Sequence, residues 1–269
     1  MEQLYIFGTG NAAVTNCYNT CFALKKDDEY FMIDAGGGNG ILRILNDMNV
    51  DLSRIHHLFV SHEHTDHILG VVWMVRMIGA RMKSDKYEGD FQIYCHERLV
   101  PVIDTLCRLT LQGKFYEMIG KRIHLHAVSD GETRNILGND VTFFDIHSTK
   151  AEQYGFATAL ESGKRLTFCG DEPYNKACSQ YVENCSWLLH EAFCLYEDRE
   201  QFKPYEKHHS TVMDACQLAE EIKAENLVLW HTEDSDLAHR KERYLKEGTP
   251  YFHGNLFIPD DGEIISLAP

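Results

Sequence analysis

Residues 61–67 read SHEHTDH, directly after the apolar run RIHHLFV, so that three histidines and two carboxylates share seven positions. His62 and His64 alternate along an extended segment, which lets their imidazoles converge on one cation. Asp66 and His67 follow at once, turn into a helix beginning ILGVVWMV, and can face a second cation beside the first. Neutral imidazole and carboxylate are ligands for Zn, Mn or Fe, and no thiolate takes part. One loop cannot complete two coordination shells, so further ligands must come from elsewhere. Asp34 ends YFMID, His147 ends VTFFDIH, Asp171 ends RLTFCGD and His231 ends NLVLWH, each a polar residue at the carboxyl end of an apolar run. In α/β proteins ligands bind where such strand ends converge. One shared site, completed by His147, Asp171 and His231, is the economical reading, while His56, His57, His96, His124, His126, His239 and His253 read as surface or core residues.

The surrounding chain has twelve short β-rich runs, from QLYIFG at the start to EIISL at the end, with helical patterns between them, among them NGILRILNDM, TVMDACQLAEEIKA and AHRKERYLKEG. No repeat, low-complexity tract or Pro/Ser-rich linker interrupts residues 1–269, which predicts one α/β domain of two mixed sheets faced by helices. The formal net charge of −15 is wrong for gripping a long polyanion, since phosphate backbones are held by Lys and Arg, and DNA is excluded on that ground. Nine scattered cysteines without a C-x-x-C pair read as reduced thiols. MEQLYIFGTGNAAV lacks the features of a secretory signal, and no window approaches the run of about 20 apolar residues that spans a bilayer, which predicts a cytoplasmic protein with no membrane partner.

With these residues in view, the chain resembles the metallo-β-lactamase superfamily of binuclear hydrolases over its whole length. The resemblance implies a four-layer αββα sandwich with two divalent metal ions at one edge, zinc first, with manganese or iron as the other candidates. It implies that His62, His64 and His147 hold the first metal, that Asp66, His67 and His231 hold the second, and that Asp171 bridges them. The β-lactamases of the superfamily use a cysteine where Asp171 would serve; Cys169 lies two positions away, and GDEP favours the carboxylate. Asp34 resembles the fold's structural aspartate, which buttresses the metal loop.

WLLHEAF (187–193) and KHHSTVMDACQLAEEIKAENLVLWH (207–231) are similar to segments of ribonuclease Z-like phosphodiesterases. In that branch the histidine corresponding to His209 and the glutamate corresponding to Glu191 stand over the metals, which implies catalytic roles for His209, Glu191 and Asp66. Capping of the following helix by Ser210 or Thr211 is compatible with this reading. His147 and Asp171 lie only 24 positions apart, too close for the long transfer-RNA-gripping arm often inserted there. The expected activity is therefore a metal-dependent phosphodiesterase acting on a small phosphodiester or an RNA 3′ end, in a homodimer as the resemblance suggests. The same ligands also serve glyoxalase II-like thioester or carboxylic-ester hydrolases, and a non-catalytic sensor of phosphorylated ligands is the third reading. Segment 106–122, LCRLTLQGKFYEMIGKR, is either a lid or an ordinary helix and turn.

Overall fold

Runs such as YFMI and NLVLW are apolar at every position, as strands covered on both faces require. In the computed structural model, which describes residues 2–267, they pair into two mixed sheets of seven strands. The first unit contains residues 2–8, 18–129 and 261–267. Its strands are β1 (Glu2–Gly8), β2 (Cys21–Lys26), β3 (Glu29–Ile33), β4 (Ile55–Phe59), β5 (Phe91–His96) and β6 (Ile123–Val128), with the last strand of the chain, β14 (Ile264–Ser266), at one edge. The order is β14-β1-β2-β3-β4-β5-β6, antiparallel as far as β3 and parallel beyond it.

Four helices belong to this unit: α1 (Gly40–Asp47), α2 (Thr65–Lys83), α3 (Leu99–Thr110) and the single turn α4 (Gly113–Tyr116). Along α2, Ile68, Val71, Val75, Ile78 and Met82 recur at helical spacing and are buried in one cluster with Met32, Leu58 and Ile93 of the sheet. Segment 106–122 comprises the end of α3, a turn, α4 and the turns that follow it.

The second unit contains residues 9–17 and 130–260. Its strands β7 (Thr133–Ile136), β8 (Asn139–Asp145), β9 (Tyr154–Ala159), β10 (Arg165–Phe168), β11 (Trp187–Glu191), β12 (Asn226–Trp230) and β13 (Asn255–Phe257) lie side by side in chain order. Pairing is again antiparallel for the first three contacts and parallel for the last three, with β10 at the change. Two single turns, α5 (Ser179–Val182) and α6 (Arg199–Phe202), precede α7 (Val212–Glu221) and α8 (Arg240–Gly248). Val212, Ala215, Cys216 and Ala219 of α7 pack on Leu188, Leu227 and Leu229 of the sheet. Edge strands β7 and β13 were not read from the sequence; they span only four and three residues, too few to show a periodicity. Among the described residues, no helix is long and apolar enough to cross a membrane.

The helix that follows the SHEHTDH loop is locked to the end of β3. Ala35 N–H donates to His67 O at 3.1 Å and Gly70 N–H to Gly36 O at 2.8 Å. A Cβ on Gly70 would stand 1.8 Å from the Ala35 carbonyl oxygen, so only glycine permits this approach. Gly70→Ala is therefore expected to destabilise the protein by about 1–3 kcal/mol, the usual range for overpacking. The check is a lower denaturant midpoint at unchanged slope; an unchanged midpoint would show that the approach is not required.

Candidate functional site

In the first unit the loop after β4 and the first turn of α2 assemble around Asp34. Its Oδ1 accepts from Ser61 N–H at 2.8 Å, and its Oδ2 accepts from Ser61 Oγ–H at 2.7 Å and faces His67 Nδ1 at 2.8 Å. A carboxylate in that position makes His67 carry its proton on Nδ1, which leaves Nε2, 3.3 Å from Asp66 Oδ2, as the electron-pair donor. His62 Nδ1 lies 3.0 Å from Ser61 Oγ, and its Nε2 faces His64 Nδ1 at 2.9 Å. His62, Asp66 and His67 are buried and His64 is half-buried. His64 is the N-cap of α2 in an extended conformation, so the chain delivers two ligand candidates from the loop and two from the helix start. The helix N-terminus also favours the negative charge of Asp66.

In the second unit the carboxyl ends of β10, β11 and β12 converge. Asp171 Oδ1 accepts from Gln153 Nε2–H at 2.5 Å, while its Oδ2 lies 3.4 Å from His231 Nε2. The His231 ring is tilted against that of His209, with centroids 5.1 Å apart. His209 is stacked flat on Phe193 at 4.7 Å and 12°, with Nδ1 at 3.5 Å from Glu191 Oε2. Glu191 is completely buried, and its other oxygen accepts from Ser210 N–H at 2.5 Å. Glu191, His209 and His231 each point one donor atom into a common space, within 4.8 Å of one another. Thr211 caps α7 in a reciprocal capping box with Asp214, so capping and placement of His209 coexist.

His147 departs from this pattern. It follows β8 at φ +57°, its N–H donates to Asp145 Oδ1 at 2.7 Å, and its side chain is 45% exposed. Asp34 and His231 share the left-handed backbone, with φ of +53° and +57°. Three of the strand-end residues picked out by sequence therefore sit where non-glycine residues cost about 1–3 kcal/mol, as is common at functional sites. Cys169, two positions before Asp171, is buried in the apolar cluster, and burial pushes its thiol well above the ordinary range. Burial likewise holds the half-buried His57 down at about 4.

Lys150, Glu172 and His208 were missed by sequence reasoning. Glu172 Oε1 accepts from Ser148 Oγ–H at 2.8 Å and its Oε2 from Thr149 N–H at 3.1 Å, fastening the turn after His147. The only sequence signal was adjacency, since Glu172 follows Asp171 and Lys150 follows His147 by three positions. Chemically, both units present buried carboxylates beside imidazoles with few Lys or Arg to balance them. A divalent cation suits such a donor set, because a buried carboxylate is costly without a cation.

A family model described as anti-Pycsar protein Apyc1 matches residues 2–248. The ribonuclease Z of Thermococcus sibiricus is 24% identical in an alignment covering 100% of this chain and 97% of that protein. That of Bacteroides thetaiotaomicron is 22% identical, over 85% of this chain and 84% of its own length. Among solved structures, the metallo-β-lactamase fold protein YhfI from Bacillus subtilis superposes with a TM-score of 0.76 at 18% identity, covering 98% of each chain. The short form of human tRNase Z gives 0.75 at 19% identity, over 99% of this chain and 100% of that one. These superpositions establish the metallo-β-lactamase fold. Within it, the Asp34 carboxylate is expected to set the affinity of the adjoining donors: Asp34→Asn should weaken zinc binding about 10- to 100-fold, measured by competition with a chromophoric chelator, and unaltered affinity would show that His67 needs no such partner.

Proposed function

The chain belongs to the family of the anti-Pycsar protein Apyc1, and on that premise we propose that it is a metal-dependent phosphodiesterase acting on small phosphodiesters. The observation that carries this reading is the buried His209, stacked on Phe193 and backed by Glu191, beside His231 and Asp171. A histidine so placed suits protonation of a departing alkoxide, a step that ester bonds to phosphorus require. Two divalent cations, zinc first, would be held by His62, His64 and His147 and by Asp66, His67 and His231, with Asp171 as a further carboxylate ligand. When bound, such a pair supplies a nucleophilic hydroxide at neutral pH and offsets charge on the phosphoryl oxygens.

The chain's own groups do the rest. Asp66 and Asp171 accept hydrogen bonds from the attacking water and fix its direction. Glu191 keeps the proton of His209 on the ring edge it faces and stabilises the ring when charged. Phe193 holds the imidazole plane. His147, whose side chain is 45% exposed, would supply the remaining imidazole ligand.

An RNA 3′ end is the second reading, favoured by the relatives named ribonuclease Z. The net charge of −15 and the short span between His147 and Asp171 argue for the smaller substrate. A homodimer belongs to the same proposal. Hydrolysis of bis(p-nitrophenyl) phosphate by protein loaded with Zn, Mn or Fe tests the reaction class. Turnover should vanish with chelator and in His62→Ala, and His209→Ala should lower kcat about 10²- to 10³-fold. Retention of turnover in His62→Ala would refute the assignment. A panel of cyclic nucleotides set against RNA with a 3′ extension separates the two substrate readings.

A further inference from the structure

The geometry points to Lys150 as a second contact to the substrate phosphoryl group, standing beside His209 and held in place by Glu172. Lys150 Nζ lies 3.5 Å from His209 Nε2, the ring edge opposite the one that faces Glu191. It also lies 3.6 Å from Glu172 Oε1, and its side chain is 24% exposed against 7% for Glu172. The ammonium is thus drawn inward onto the imidazole edge that would meet the leaving oxygen.

Two features make this placement built rather than incidental. Glu172 holds the turn at three consecutive residues, through the Ser148 hydroxyl, the Thr149 N–H and the Lys150 ammonium. The Thr149 hydroxyl in turn lies 2.9 Å from Nδ1 of His208, the residue that enters the His209 segment at φ +60°. The turn after β8 and the segment before α7 therefore meet at two points, Thr149 with His208 and Lys150 with His209. A carboxylate that spends both oxygens on the turn leaves the ammonium only partly neutralised. An ammonium carries three N–H donors, so with one directed at His209 Nε2 it can offer another to an oxygen bearing negative charge.

The ligand this selects is an anionic phosphodiester; a neutral thioester or carboxylic ester presents no such oxygen in its ground state. The inference rests on the phosphodiesterase reading and adds a charge requirement to it. Lys150 touches substrate, and Glu172 is a positioning residue.

The experiment compares wild type, Lys150→Met, Lys150→Arg and Glu172→Gln, each loaded with zinc, on bis(p-nitrophenyl) phosphate and on the neutral ester p-nitrophenyl acetate, with inorganic phosphate as competitive inhibitor. Lys150→Met should raise KM for the phosphodiester and Ki for phosphate about tenfold or more, with a smaller change in kcat. Any KM for the neutral ester should stay as it was. Lys150→Arg should restore most of the loss, and Glu172→Gln should fall between, while thermal midpoints report on folding. Wild-type turnover with equal KM and Ki in Lys150→Met would overturn the inference alone. Absence of phosphodiester turnover in the wild-type protein would overturn the phosphodiesterase reading, and the inference with it.

Discussion

The Asp34 carboxylate is the constraint on which the loop after β4 and the start of α2 depend. One side chain receives the backbone and hydroxyl of Ser61 and faces the ring of His67, so it joins the end of β3, the start of the ligand loop and the first turn of α2. Its backbone N–H meanwhile donates to Phe59 O at 2.8 Å, which keeps the left-handed residue in register with β4. Three hydrogen-bonding contacts to a buried carboxylate offset both its desolvation and its backbone strain. Remove the charge and the tautomer of His67 is no longer dictated, nor the angle at which α2 leaves the sheet.

A similar arrangement recurs in the second unit. Each sheet makes three antiparallel pairings and then three parallel ones, and the strand at the change is β3 in one and β10 in the other. Asp34 follows β3 and Asp171 follows the end of β10. Parallel strands on one side of that change all end in the same direction, so their carboxyl ends can gather ligands while the antiparallel side supplies a frame. SHEHTDH follows β4; Glu191 ends β11 and His231 follows β12. Carboxylates and imidazoles are thus concentrated where strand direction first repeats.

Much of this was legible in the sequence. Alternating His62 and His64, adjacent Asp66 and His67, and polar residues closing five apolar runs needed no coordinates, because spacing within a loop and position at a strand end are local properties. The central strands were legible for the same reason. Lys150 and Glu172 were not, because their placement comes from a contact across 22 positions of chain with a hairpin between them. Phe193 was quoted within a motif, but its stacking on His209 depends on a turn at His208 that no periodicity announces. The edge strands β7 and β13 owe their pairing to neighbours rather than to their own composition.

The left-handed backbone at Asp34, His147 and His231 bears on how such a site can be lost. Glycine adopts that conformation without penalty, so at these positions it relieves the backbone while deleting the functional group. At exposed His147, where the side chain makes little packing, the exchange is close to neutral for folding or better than neutral. A relative with glycine there is expected to express, purify and melt like one with histidine, so its stability would carry no trace of the missing imidazole.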